Sequence, residues 1–245
     1  MSFYRQGPNR SYGSGARFGV PGLTPMVKIL LITCGAVWVL QLLLEIAVRF
    51  SLIPWLGVIP ALVIRGFVWQ PFTYMFLHST AGIGHLLFNM LLLWFLGGDL
   101  ERHWGSRAFL RYYLVCGVGA GIIITVLGLF SEQGRMTPTI GASGAIYGVI
   151  LAFGMIFGER IILFMFMFPM KARTFAWILF AVAFFSSLTG QSSGVSHIGH
   201  LGGMVVGYLY LKRAWRFGEF YRELKWKLTR RKFKVVPKDD DRWVN

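Results

Sequence analysis

TIGASGAIYG, residues 139–148, opens an apolar run that continues without a charge to Gly158. Gly141, Ala142 and Gly144 surround one hydroxyl, that of Ser143. Gly144 and Gly148 are four apart and share one helical face. Small residues at that spacing let helix backbones approach closely inside a membrane. The stretch therefore reads as a tightly packed membrane helix that carries a serine in its first turn.

The rest of the chain fits that setting. Of 245 residues, 55% are hydrophobic and 14% are charged, against roughly 25% charge in a soluble domain. This composition indicates a membrane protein. A helix crosses the bilayer core with about 20 apolar residues. Six segments qualify, at about 26–48, 83–101, 107–129, 143–158, 172–189 and 195–212. IILFMFMFPMK (161–171) is apolar but meets Pro169, and is expected to lie in the interface or to continue the fourth helix. Cys34 and Cys116 sit in separate apolar runs and define neither a disulfide framework nor a metal site.

Charge sets the orientation. The formal net charge is +15. Arg5, Arg10, Arg17 and Lys28 precede the first span, Arg102 and Arg107 join the second to the third, and Arg160, Lys171 and Arg173 join the fourth to the fifth. Lys212, Arg213, Arg216 and Arg222 follow the sixth. With six crossings all of these share one side, and the other side holds Arg49, Arg65 and Arg135. The positive-inside rule then predicts cytoplasmic termini. Residues 1–25 read as a disordered cytoplasmic tail, 26–212 as the six-helix domain and 213–245 as a basic cytoplasmic tail. The basic tail suits an anionic lipid surface, and no nucleic-acid partner is expected. The apolar connection 49–82 is expected in the outer interface, with Trp55 and Trp69 as anchors.

Polar side chains inside spans are costly and are the place to look for function. His85 and Asn89 start the second span on one helix face, Ser143 starts the fourth, and His197 and His200 start the sixth. All are expected within roughly 10 Å of the outer surface. Each has a plainer reading alone: Ser143 as a helix cap, GASG as close packing, His85 and Asn89 as interhelical hydrogen-bond partners. Together they suit one chemistry. A serine becomes a nucleophile when a base takes its proton, and histidine is the usual base. Attack on an amide puts charge on the carbonyl oxygen, and donors must await it. Asn89, His85 and the backbone N–H at the helix start can supply them. Gly203 and Gly207 stand three and seven residues after His200, so they clear that histidine's own face for approach to the fourth span. His197 is expected to be a neighbour at the interface.

These motifs resemble the rhomboid family of intramembrane serine proteases. The resemblance covers about 50–211 and rests on HLLFN (85–89), GASGAIYG (141–148) and HLGGMVVG (200–207), in that order. It implies an all-α, six-transmembrane-helix bundle with a hydrated active site opening to the outer face. It implies a Ser–His dyad with no aspartate: Ser143 as nucleophile, His200 as base, and Asn89 and His85 lining the oxyanion hole. Tyr147 matches the tyrosine that packs on the family's catalytic histidine, and Gly141 and Gly144 match the glycines beside the serine. GGDLERHWGSRAF (97–109) resembles the turn after the family's second helix. One position departs: where relatives often have Trp-Arg in the first loop, this chain has Trp69-Gln70. Gln70 cannot form an arginine's ion pair.

Other chemistries lack their residues. No His-Glu-x-x-His string occurs, so no metal or other cofactor is expected. The spans offer only Asp99 toward an aspartyl pair, and Glu45 alone toward a proton path. The expected function is an endopeptidase acting on transmembrane segments of other proteins in a bacterial cell membrane, and the rhomboid resemblance implies small residues at the cleaved position. The competing reading is an inactive rhomboid-like protein that binds or dislocates membrane helices.

Overall fold

The fold is that of a computed structural model, which describes residues 22–164, 168–188 and 197–212. Described residues up to Tyr210 belong to one compact unit. Of a second unit, 1–17 with 211–245, Leu211 and Lys212 are described as the end of a helix. The expected tails thus lie outside the described residues, apart from 22–25. Within 22–25, Thr24 is buried against Glu101 and Pro25 opens a helix.

Each of the six apolar segments contains one long helical stretch. Helix α1 (Pro25–Val48) starts at a proline, whose fixed φ suits a first turn and whose missing N–H is no loss there. The first N–H groups of a helix have no partner within it. Glu101 supplies one, accepting from Met26 N at 2.8 Å and Val27 N at 2.9 Å, and from the Thr24 and Ser106 hydroxyls. The stretches Gly84–Leu92, Leu93–Gly97 and Gly98–Trp104 run on as α2, the middle one wound as a π-helix. Gly105, at φ 83°, turns the chain directly into α3 (Ser106–Gly128). Helices α4 (Ser143–Ile156), α5 (Ala172–Leu188) and α6 (197–212) follow. At 24 and 23 residues, α1 and α3 are each long and apolar enough to cross a bilayer.

Helix α4 sits at the centre. It packs on α3 and α5 and has Ala145, Ile146, Val149, Ile150, Ala152 and Phe153 in the core. On α3, Phe109, Tyr112, Tyr113, Cys116 and Ala120 are fully buried. Tyr112 donates its hydroxyl to the Gly148 carbonyl at 2.8 Å, and so binds α3 to α4.

In the apolar run after α4, residues 161–164 and 168–171 are described, and they do not continue that helix. Strands β1 (Ile161–Phe164) and β2 (Phe168–Lys171) pair antiparallel, with Ile161 opposite Lys171 and Leu163 opposite Pro169. A proline within a helix interior removes a hydrogen bond and clashes with the preceding turn, while β-branched and aromatic residues suit a pleated surface. Beside this strand pair, Asp99 pairs with Arg102 and Arg160, and Glu159 pairs with Lys171 and Arg173.

The connection 49–83 is organised. It holds three short helices, Ile53–Leu56, Pro60–Val63 and Gln70–Thr73, then a 3₁₀ turn, Tyr74–Phe76. Gln70 is fully buried and takes the anchoring role by neutral hydrogen bonds. Its Oε1 accepts from Ile59 N and its Nε2 donates to Pro54 O, both at 3.0 Å. Trp69 donates to the Trp55 carbonyl at 2.9 Å, and both indoles remain about half exposed.

Candidate active site

Ser143 is the first residue of α4, and its placement is fixed by the residues before it. Gly141 has φ 119°, in the left-handed region that favours glycine. Its N–H donates to the Tyr74 carbonyl at 3.0 Å, which ties the approach to α4 to the 3₁₀ turn. Ala142 occupies the cap position and offers no side-chain oxygen. Ser143 is therefore not a helix cap. Its backbone N–H lies among the unpaired donors at the positive end of α4.

The Ser143 hydroxyl meets α6. His200 Nε2 lies 2.9 Å from Ser143 Oγ, within ordinary hydrogen-bond length. The ring of Tyr147, one turn along α4, stacks flat on the imidazole, with centroids 4.0 Å apart and planes 6° off parallel. His200 is buried, and among the described residues none hydrogen-bonds its Nδ1. His197 is half-buried, and its ring meets that of His200 edge-on at 6.0 Å.

Glycines on α4 and α6 let these two helices come together. A β-carbon at Gly203 would collide with the carbonyl of Gly144. Gly148 and Gly207 both face α3 as well: added β-carbons there would run into Cys116 and Tyr112 respectively. The close approach is thus three-sided, with α3 filling the space below the Gly144–Gly203 crossing.

His85 comes to the same place from α2. A β-carbon on Gly141 would stand 2.8 Å from His85 Nε2 and 3.8 Å from Ser143 Oγ. The bare α-carbon of Gly141 therefore leaves open the space that these two atoms border. The other ring nitrogen of His85, Nδ1, accepts from Ser79 N at 3.3 Å. That bond selects the tautomer with the proton on Nε2, so a donor faces the serine. Asn89 is buried one turn along, and its Nδ2 donates to the His85 carbonyl at 2.7 Å. A second N–H remains on that amide. Ser143, His200, Tyr147, Gly141, Gly144 and His85 thus converge, and Asn89 lies one turn along α2 from His85.

Sequence reasoning passed over three contributors. Tyr74 is buried, donates to Gly117 O at 2.8 Å and supports the Gly141 turn. His78 is buried with its ring 5.2 Å from that of His85. Burial, and then the neighbouring His85, push its pKa down to about 4, so it is neutral at pH 7. Gln41 lies fully buried on α1 and accepts from His78 N at 3.0 Å. A glutamine in the middle of a largely apolar span was a signal of the kind that marks buried polar contacts.

A family model described as a rhomboid domain matches residues 65–217. Rhomboid protease GluP of Bacillus subtilis (strain 168) is 32% identical over 165 residues, 65% of this chain and 29% of that protein. Rhomboid protein 1, mitochondrial, of Saccharomyces cerevisiae is 31% identical over 133 residues, 51% of this chain and 36% of that one. Rhomboid protease AarA of Providencia stuartii is 30% identical over 153 residues, covering 58% and 54% of the two chains. The chain spans about a third of the length of the first two of these curated relatives.

Proposed function

Because the chain belongs to the rhomboid family of integral membrane proteins, we propose that it is an intramembrane serine endopeptidase that hydrolyses peptide bonds in or near transmembrane segments. The observation that carries this reading is the 2.9 Å contact between His200 Nε2 and Ser143 Oγ, under the stacked ring of Tyr147. His200 takes the hydroxyl proton as Ser143 Oγ attacks the carbonyl carbon. The oxyanion accepts from His85 Nε2–H, the Asn89 amide and the Ser143 backbone N–H. His200 returns the proton to the leaving amine, which departs and leaves an ester on Ser143. Water, deprotonated by the same imidazole, then hydrolyses that ester. Tyr147 keeps the imidazole in plane, a positioning task that an aspartate performs in three-residue sites.

The proposed setting is a bacterial cell membrane crossed six times, with both termini cytoplasmic and the site opening to the outer face. The Lys and Arg distribution supports that orientation. A helical substrate hides its amides in its own hydrogen bonds, so glycine or proline near the scissile bond favours cleavage. The test is the purified protein in liposomes with a single-span substrate. Ser143→Ala and His200→Ala each abolish cleavage at equal protein levels, and cleavage by either at the wild-type rate overturns the mechanism.

A further inference from the structure

The segment between the 3₁₀ turn and α2 is the least regular part of the site. Among the described residues, 78–80 make no backbone–backbone hydrogen bond. Side chains of α1 make those bonds instead. Trp38, Gln41 and Glu45 are spaced three and four apart, on one face of that helix. Trp38 Nε1 donates to Ser79 O at 2.9 Å, Gln41 Oε1 accepts from His78 N at 3.0 Å, and Glu45 Oε2 accepts from the Thr80 hydroxyl at 2.6 Å. Three successive residues are each held by a different α1 side chain. The middle one, Ser79, turns its own N–H onto His85 Nδ1.

We infer that Trp38, Gln41 and Glu45 are positioning residues: they hold residues 78–80 so that the Ser79 N–H fixes the tautomer and direction of His85. This rests on the protease reading, which gives His85 Nε2–H its part at the oxyanion. The chain of contacts runs α1, then 78–80, then His85, then the gap above Gly141. Without the bond from Ser79, the imidazole can place its proton on either nitrogen and rotate. A neutral ring protonated on Nδ1 presents a lone pair to the oxyanion and repels it. Glu45, half-buried at the end of an apolar helix, then acts as an acceptor for Thr80 and takes no part in proton transfer.

The inference separates binding from chemistry. Trp38→Phe and Gln41→Met keep apolar bulk and remove the hydrogen bonds. In liposomes, the double variant is expected to lose about 10-fold in kcat with KM unchanged, as for a misplaced group remote from substrate binding. Glu45→Gln and Thr80→Ser keep an acceptor and a hydroxyl and stay near the wild-type rate, while Glu45→Leu and Thr80→Val fall several-fold. If the double variant does not fold, these two conservative and disruptive pairs decide the matter. The ¹⁵N spectrum of histidine-labelled protein, assigned with His85→Gln, is expected to show wild-type His85 protonated on Nε2. In the disruptive variants the Nδ1–H form appears. An unchanged His85 spectrum together with an unchanged kcat overturns the inference. Cleavage by Ser143→Ala at the wild-type rate, or no cleavage by wild type, instead removes the protease reading, and the spectrum still decides the clamp.

Discussion

His200 and His197 are three residues apart, yet the structure treats them differently. His200 is buried, flat against Tyr147 and in reach of Ser143, whereas His197 touches the pair only edge-on through His200. In the proposed mechanism, His197→Ala is therefore expected to retain most of the activity that His200→Ala abolishes, as measured by initial cleavage rates. In the same mechanism Asn89→Ala removes one proposed oxyanion donor and is expected to lower kcat about 10²–10³-fold. The protein still folds, since the Asn89 side chain bonds locally, to His85 O one turn away. Single-turnover rates check it. Ser143, His85, Asn89 and both histidines of α6 were legible in the sequence because a polar group in an apolar span stands out. Gln41, Tyr74 and His78 were less so. Their importance comes from what a distant segment brings beside them, and no local pattern encodes that.

At the scale of elements, the contact between α4 and α6 depends on a missing atom. A methyl group at Gly203 meets the Gly144 carbonyl, which is backbone and cannot rotate aside. Gly203→Ala is expected to force α6 from α4, to lower the melting temperature by several degrees and to cut activity at least 10-fold, the scale of loss for misplaced reacting groups. By contrast Gly35→Ala, where a β-carbon meets nothing within 4 Å, leaves both unchanged. Thermal melts in detergent and the cleavage assay check the pair. The six apolar helices were visible as runs of oil, and their small-residue stripes as a means of approach. The pairing of strands 161–164 and 168–171 was not, because an apolar run of that length suits a strand or a helix equally until its partner is known. Pro169 was the clue, sitting opposite Leu163 in the pairing.

At the scale of the whole molecule, the loop between α1 and α2 is fastened at Gln70 without charge. Gln70 replaces an ion pair by two hydrogen bonds, so added salt has little to screen there. Protons act through His78 instead. Its folded pKa of about 4 lies below the ordinary value of 6.5. The unfolded chain therefore binds a proton that the folded one refuses between those values, and stability rises with pH across that window. The contribution is complete above pH 6.5 and is lost as pH falls toward 4. Melting temperatures measured over this range are expected to fall on acidification, and His78→Asn is expected to flatten that slope. A slope identical in the variant assigns the acid sensitivity elsewhere. Little of this loop's organisation was readable beforehand, since composition showed that it was apolar and not what it wrapped around.

The π-wound stretch Leu93–Gly97 gives α2 a property that a helical wheel conceals. A π-turn accommodates one residue more than an α-turn, and one residue is about 100° of rotation. The two halves of α2 are therefore out of phase. His85 keeps one phase with the space beside Ser143, and Glu101 keeps the other with the start of α1. A one-residue deletion within 93–97 would restore a uniform winding and also abolish the offset. Either Glu101 would leave the N–H groups of α1 or His85 would swing from the serine. Length in this helix is thus a form of timing, and the π-turn is the skipped beat that lets both ends arrive together.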